Sequence, residues 1–382
     1  LQHTLMEKEK VEMLRRTLSR HMRTIQDTFE MSIDHALLSS LEKVNWDDVV
    51  KLGGHIYKQA TIVGVLWSGE VPDYKEIKKS MATYFDALQG MLLLAHGSTV
   101  GAGPTLSSMI QSSLKLVVDS SVKLMKETVS LYDRILHKSG WSNEEIKRSI
   151  PQLVGAVWES CDGLRKVPSS NVQAIGRALT KVALSVKDVL REMKELKPAL
   201  ASPPDETAAG DVRDEGNSSH ERDGDDSCAS DGDFGNDLSP GEMKVAQAAI
   251  AVVSEIIAYI KEIIRTITGL MKAEKRSEDG GMVDSLESLL KLCQRLGEQV
   301  DEVGACLYPP QEVLSMQAAI KKLHEISLEA REVVESIEKC SSESFVNSYE
   351  RLKRSLNAME SELEWVSASD LEAKIQSIMV SN

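Results

Sequence analysis

Apolar residues recur along most of this chain at alternating spacings of three and four, the mark of amphipathic helices. The clearest run covers 240–275. Val245, Ala249, Val252, Ile256, Ile260, Ile263, Ile267 and Leu270 step by 4, 3, 4, 4, 3, 4 and 3. Ile250, Val253, Ile257 and Ile264 widen that stripe and predict a helix buried over much of its circumference. Residues 323–337 repeat the period through Leu323, Ile326, Ala330, Val333 and Ile337. No alternating strand pattern flanked by hairpin turns is present, and no fixed solenoid repeat. The pattern predicts helices over 4–42 (with room for a break), 46–66, 74–95, 105–138, 143–166, 171–197, 240–275, 283–305, 310–339 and 343–364. A short last helix is expected near 370–379.

Boundary signals agree with this map. Of the ten prolines, only Pro151 falls inside a predicted helix, where it removes a hydrogen bond. Asp73–Glu76, Ser142–Glu145, Ser170–Gln173 and Ser239–Glu242 fit the capping-box spacing, and Pro240 stands at a first helical position. Residues 198–238 differ in kind. Pro, Gly, Ser and Asp dominate there, and only Leu200, Val212, Phe234 and Leu238 are large and apolar. Such a segment buries too little surface to offset its ordering entropy. The expected fold class is therefore all-α: two up-down helical bundles joined by a disordered acidic linker. The N-terminal bundle spans 1–197, the linker 198–238 and the C-terminal bundle 239–382.

Charge sharpens the division. The 382 residues carry 45 basic and 59 acidic side chains, a formal −14. Residues 199–240 alone hold twelve acids and two arginines, so the acidity is local and the rest is nearly balanced. A nucleic-acid surface and an anionic membrane surface are both disfavoured. Five scattered cysteines do not make a disulfide framework. None of the eight histidines follows a glutamate at the Glu-x-x-His spacing, and neither His-Glu-x-x-His nor Cys-x-x-Cys occurs. Cys293 and Cys306 read as small buried apolar residues. Gly97, Gly101 and Gly103 lack the Gly-Lys-Ser/Thr of a phosphate loop and read as an interhelical turn. No catalytic residue, cofactor or metal is predicted.

Two features carry possible regulation. Ser218 and Ser230 have acids at +3, and Ser239 precedes a proline, spacings that suit kinases. The plainer account is a solubilising spacer rich in serine. A phosphate on Ser239, the proposed cap of the long helix, is expected to strengthen an N-terminal anion site. The second feature is the hairpin 143–197, joined through Val167-Pro168-Ser169. It reads either as a helix–loop–helix dimerisation unit or as an ordinary bundle hairpin. No basic cluster precedes it, so a DNA-reading region is missing.

Three segments resemble the cyclin-D-binding protein family, also described as maternal Id-like helix–loop–helix proteins. Ala156-Val157-Trp158-Glu159-Ser160-Cys161 is similar to a stretch of its first helix. Leu179-Thr180-Lys181, Val186-Lys187-Asp188 and Glu192-Met193 are similar to its second. Val300-Asp301-Glu302 with Leu307-Tyr308-Pro309-Pro310 resembles a segment of its C-terminal half. The resemblance implies bundles like those of vinculin and talin. It further implies binding to D-type cyclins and helix–loop–helix transcription factors, with restraint of the cell cycle and transcription in cytoplasm and nucleus. On that reading Val157, Trp158, Leu164, Leu179, Val182, Val186 and Leu190 of the hairpin are the candidate partner-binding residues. The chain is expected to be a monomer or weak dimer. The rival reading is a vinculin- or talin-type scaffold that binds partner helices.

Overall fold

A computed structural model of the chain describes residues 2–31, 44–136, 143–198, 237–272, 280–337 and 342–380. Among them are ten α-helices: α1 (Gln2–Phe29), α2 (Trp46–Leu66), α3 (Tyr74–Ser98), α4 (Pro104–Leu136), α5 (Asn143–Gly163), α6 (Asn171–Lys194), α7 (Pro240–Lys272), α8 (Gly280–Cys306), α9 (Val313–Ile337) and α10 (Glu343–Val380). The all-α reading holds. A 3₁₀ turn, Leu164–Lys166, follows α5.

The expected boxes at Asp73 and Ser239 both form. Asp73 Oδ1 accepts from Glu76 N (2.8 Å) while Glu76 Oε2 accepts from Asp73 N (2.9 Å). Ser239 and Glu242 make the same exchange at 3.3 and 2.9 Å. At Ser170 only half forms: Gln173 N donates to its hydroxyl, but the Gln173 carbonyl reaches Ser169 instead. The Ser142 box lies outside the described residues. Pro151 sits within α5 as expected.

Three expectations need correction. The helices expected over 343–364 and 370–379 are one, α10. Nothing between 364 and 370 is Gly or Pro, and two serines cost an exposed helix only about 0.5 kcal/mol each. The linker's ends are ordered: Lys197–Pro198 pairs in parallel with Asp237–Leu238, and Leu238 is fully buried. Two-residue strands show no alternation, so the pattern could not reveal them. On α9, Val334 rather than Val333 completes the buried stripe. The rest of the predicted linker, 199–236, lies outside the described residues.

The chain divides into two compact units, Leu1–Arg177 with Leu270–Glu287, and Ala178–Gly269 with Ser288–Asn382. The divide between these units falls inside α6 and α8. In the first unit α1 packs on α3 and α4, α2 on α3 and α5, and α4 on α5, which closes a ring of five helices. Arg15 of α1 pairs with Asp133 of α4 at 2.6 Å, and His96 Nε2 of α3 meets the Thr28 carbonyl at 2.7 Å. Tyr84 donates to Ser121 Oγ at 2.9 Å inside the core.

The glycine segment is the predicted turn between α3 and α4. Gly101 has φ +71°, and a Cβ on Gly97 would lie 2.5 Å from Val44. Its polar groups are already engaged. Asn171 accepts from Gly103 N (2.7 Å) and donates to Gly101 O (2.9 Å). Buried Glu287 accepts from Thr105 N and its hydroxyl at 2.8 and 2.7 Å, so a carboxylate fills the anion site at the start of α4.

In the second unit the stripe on α7 is buried from Val245 through Ile267. α7 is long and apolar enough to cross a membrane by composition, yet its apolar face lies inside this bundle. Tyr259 donates to the Ser327 carbonyl of α9 (3.0 Å) and stacks on Phe345 of α10 at 5.5 Å. Arg351–Glu255 ties α10 to α7, and Arg295–Glu329 ties α8 to α9. Val182 and Val186 of α6 pack over Gly297 of α8.

Candidate partner-binding surface

The seven hairpin residues do not form one exposed face. Val157, Trp158 and Leu164 belong to the first unit; Leu179, Val182, Val186 and Leu190 belong to the second. Val157 and Leu164 are fully buried. The methyl of Leu164 occupies the space above Gly53, and its carbonyl accepts from Trp46 Nε1 at 2.9 Å. Trp158 is half-buried, stacked on Tyr57 at 5.2 Å, with its indole N–H donating to Thr61 Oγ1 at 3.1 Å. Leu179, Val186 and Leu190 are buried, and Val182 is half-buried. Periodicity marks the face of a helix that is covered. It does not say whether a bundle neighbour or a partner covers it.

The serines fare differently. Ser218 and Ser230 lie outside the described residues. Ser239 is exposed, and its hydroxyl accepts from Glu242 N. Burial raises the Glu242 carboxyl, but the hydrogen bonds from Ser239 and Gln311 outweigh it, so the carboxyl titrates below its usual range. That carboxylate already caps Ser239 N, so a phosphate on Ser239 would meet an anion. The expected strengthening of the cap is thereby opposed.

Nucleophile chemistry has no support in the thiols. Burial pushes Cys161 and Cys293 up to about 12 and raises Cys306 as well. Such thiols stay protonated and inert. Cys228 and Cys340 lie outside the described residues. Among the described residues no cluster of three or more His, Cys, Asp or Glu could hold a metal ion.

Exposed features that periodicity passed over are of two kinds. Large apolar side chains point outward at Leu116, Leu184, Leu314 and Trp365. Surface cavities form where helices diverge. One of about 440 Å³ lies between α1 and α4, floored by Ile25, Phe29 and Val118 and edged by Lys115, Lys123 and Lys126. Another of about 310 Å³ lies between the end of α6 and the end of α8. Both combine residues distant in sequence, so only the folded chain displays them.

Two domain profiles of one family match the chain. Residues 48–199 match the N-terminal domain described as Grap2 and cyclin-D-interacting, and 221–332 match its C-terminal domain. Together they cover more than two thirds of the chain. The chain belongs to this family. Similar proteins include the cyclin-D1-binding protein 1 homologs of Xenopus laevis (21% identical, covering 62% of this chain and 63% of that protein) and Danio rerio (25%, 55% and 58%). Cyclin-D1-binding protein 1 of Pongo abelii is 22% identical over 74% of this chain and 73% of its own length. The chain spans less than two thirds of the Xenopus and Danio proteins. The family's N-terminal profile takes in the whole hairpin, including the part of α6 that packs in the second unit.

Proposed function

We propose that this protein is a non-catalytic regulator that binds D-type cyclins. Membership of the Grap2 and cyclin-D-interacting family carries the reading, and relatives bearing the name cyclin-D1-binding protein support it. Buried, protonated thiols and an exterior of helix faces and shallow cavities suit a binding role. The finer reading follows the resemblance: helix–loop–helix transcription factors as a second class of partner, no contact with DNA, and restraint of the cell cycle and transcription in cytoplasm and nucleus. The local excess of acids in 199–240 supports the exclusion of nucleic acid. Ser218, Ser230 and Ser239 are proposed modification sites, and the working state is a monomer or weak dimer.

Calorimetric titration of the full chain with a purified D-type cyclin tests the reading. The expected outcome is saturable binding with a micromolar or tighter Kd. Absence of heat or of co-elution in gel filtration at tens of micromolar would overturn it.

A further inference from the structure

The cavity at the ends of α6 and α8 lies wholly within the second unit. Val189 and Met193 of α6 and Gly304 of α8 make an apolar floor. A Cβ on Gly304 would come within 3.0 Å of Val189, so the missing side chain is what leaves the slot open. Glu192, Asp301 and the exposed Tyr308 stand at the rim. No basic side chain lines the cavity, and among the described residues neither carboxylate has an ion-pair partner. Burial lifts the Asp301 carboxyl, and the neighbouring charges of Glu298 and Glu192 lift it further. The site thus holds more negative charge than its surroundings neutralise. Glu192-Met193 comes from one segment by which the chain resembles its family, Asp301 and Tyr308 from another, and the fold brings them to one place.

The chain's own neighbouring segment is a poor occupant. Leu196 lines the cavity, and the sequence soon enters the acid-rich stretch 199–240. Charge there would repel Glu192 and Asp301. The complementary guest is a long side chain with an apolar stem and a planar cationic head. Arginine meets that description better than lysine, because its guanidinium stacks on aromatic faces and forks onto carboxylates.

We propose that this cavity seats an arginine side chain presented by a protein partner. Val189, Met193 and Gly304 take its methylenes, Tyr308 stacks on its guanidinium, and Glu192 and Asp301 accept its N–H groups. The proposal rests on the reading of the chain as an interaction protein and names the chemistry of one contact.

The test needs no partner. Methyl-labelled full chain is titrated with N-acetyl-arginine amide and, separately, with the neutral isostere N-acetyl-citrulline amide. Saturable shifts at the Val189, Met193 and Ala305 methyls with arginine alone are expected. Glu192→Gln with Asp301→Asn should weaken that binding about tenfold or more, as loss of charged hydrogen bonds predicts. Ala305→Trp, at an exposed position, should fill the slot and abolish it. Absence of saturable shifts, or equal shifts with citrulline, would overturn the proposal. A cyclin titration that fails while arginine still binds would sink the cyclin reading and leave this one standing.

Discussion

His21 lies face to face with Phe85, ring centres 5.0 Å apart, and burial depresses its pKa against the pull of Asp86. His324 is shifted the same way by burial, although Glu360 pulls it back. In both cases the unfolded chain binds a proton more readily than the folded one. Their contribution to stability is therefore complete above the unfolded value of about 6.5 and is lost as pH falls through the folded pKa. Thermal melts should show Tm falling from pH 7.5 to 5.5, and His21→Gln should flatten that slope. An unchanged slope in the variant would remove His21 from the account. Neither shift was legible in the sequence, where His21 is one polar residue on a helix. Residues whose role depends only on their own helix were legible: the stripe of α7 is buried as its spacing required. Residues whose role depends on a distant neighbour, such as Trp158 on Tyr57 or Tyr84 on Ser121, were not.

At the scale of elements, helix positions followed from periodicity and end signals, because both are properties of neighbouring residues. α2 runs Trp46–Leu66 and α3 begins at Tyr74, as capping and pattern together required. Misses fell where the signal was not local. The parallel ladder of Lys197–Pro198 with Asp237–Leu238 depends on chain ends far apart in sequence. The seat of α6 on α8 is equally non-local, since Gly297 and Gly304 of α8 make room for Val182, Val186 and Val189. The Ser239 box allows a quantitative check on one element. Ser239→Ala removes the acceptor for Glu242 N and should cost about 1 kcal/mol, while Ser239→Asp should restore most of it. Chemical denaturation of the two variants measures this directly, and equal stability of Ser239→Ala and the parent would mean that the cap contributes nothing.

For the whole molecule, the question is how a folded chain could offer α6 to a helix–loop–helix partner. The residues such a partner would use are the ones the second unit already covers, Leu179, Val186 and Leu190 above all. A domain is stable by about 5–15 kcal/mol, and a micromolar partner supplies about −8 kcal/mol. Exchange is feasible only if α6 opens locally at less than the global cost. Two modes then respond oppositely to one substitution. Gly297→Val crowds Val182 and Val186 from the α8 side, leaves the face of α6 itself intact, and should cost about 2 kcal/mol. A partner that captures the open form binds in proportion to its population, so its apparent affinity should rise roughly tenfold or more. A partner that reads the closed surface should be indifferent to Gly297→Val and sensitive instead to Leu184→Asp, which alters an exposed side chain at a stability cost within about 0.5 kcal/mol. Val186→Asp distinguishes nothing, since a buried carboxylate would unfold the unit and abolish both modes. Titrating both informative variants against a D-type cyclin and a helix–loop–helix factor assigns each partner to its mode. A cyclin weakened by Leu184→Asp and a transcription factor strengthened by Gly297→Val would mean that one helix serves two partners, outwardly while seated and inwardly once released.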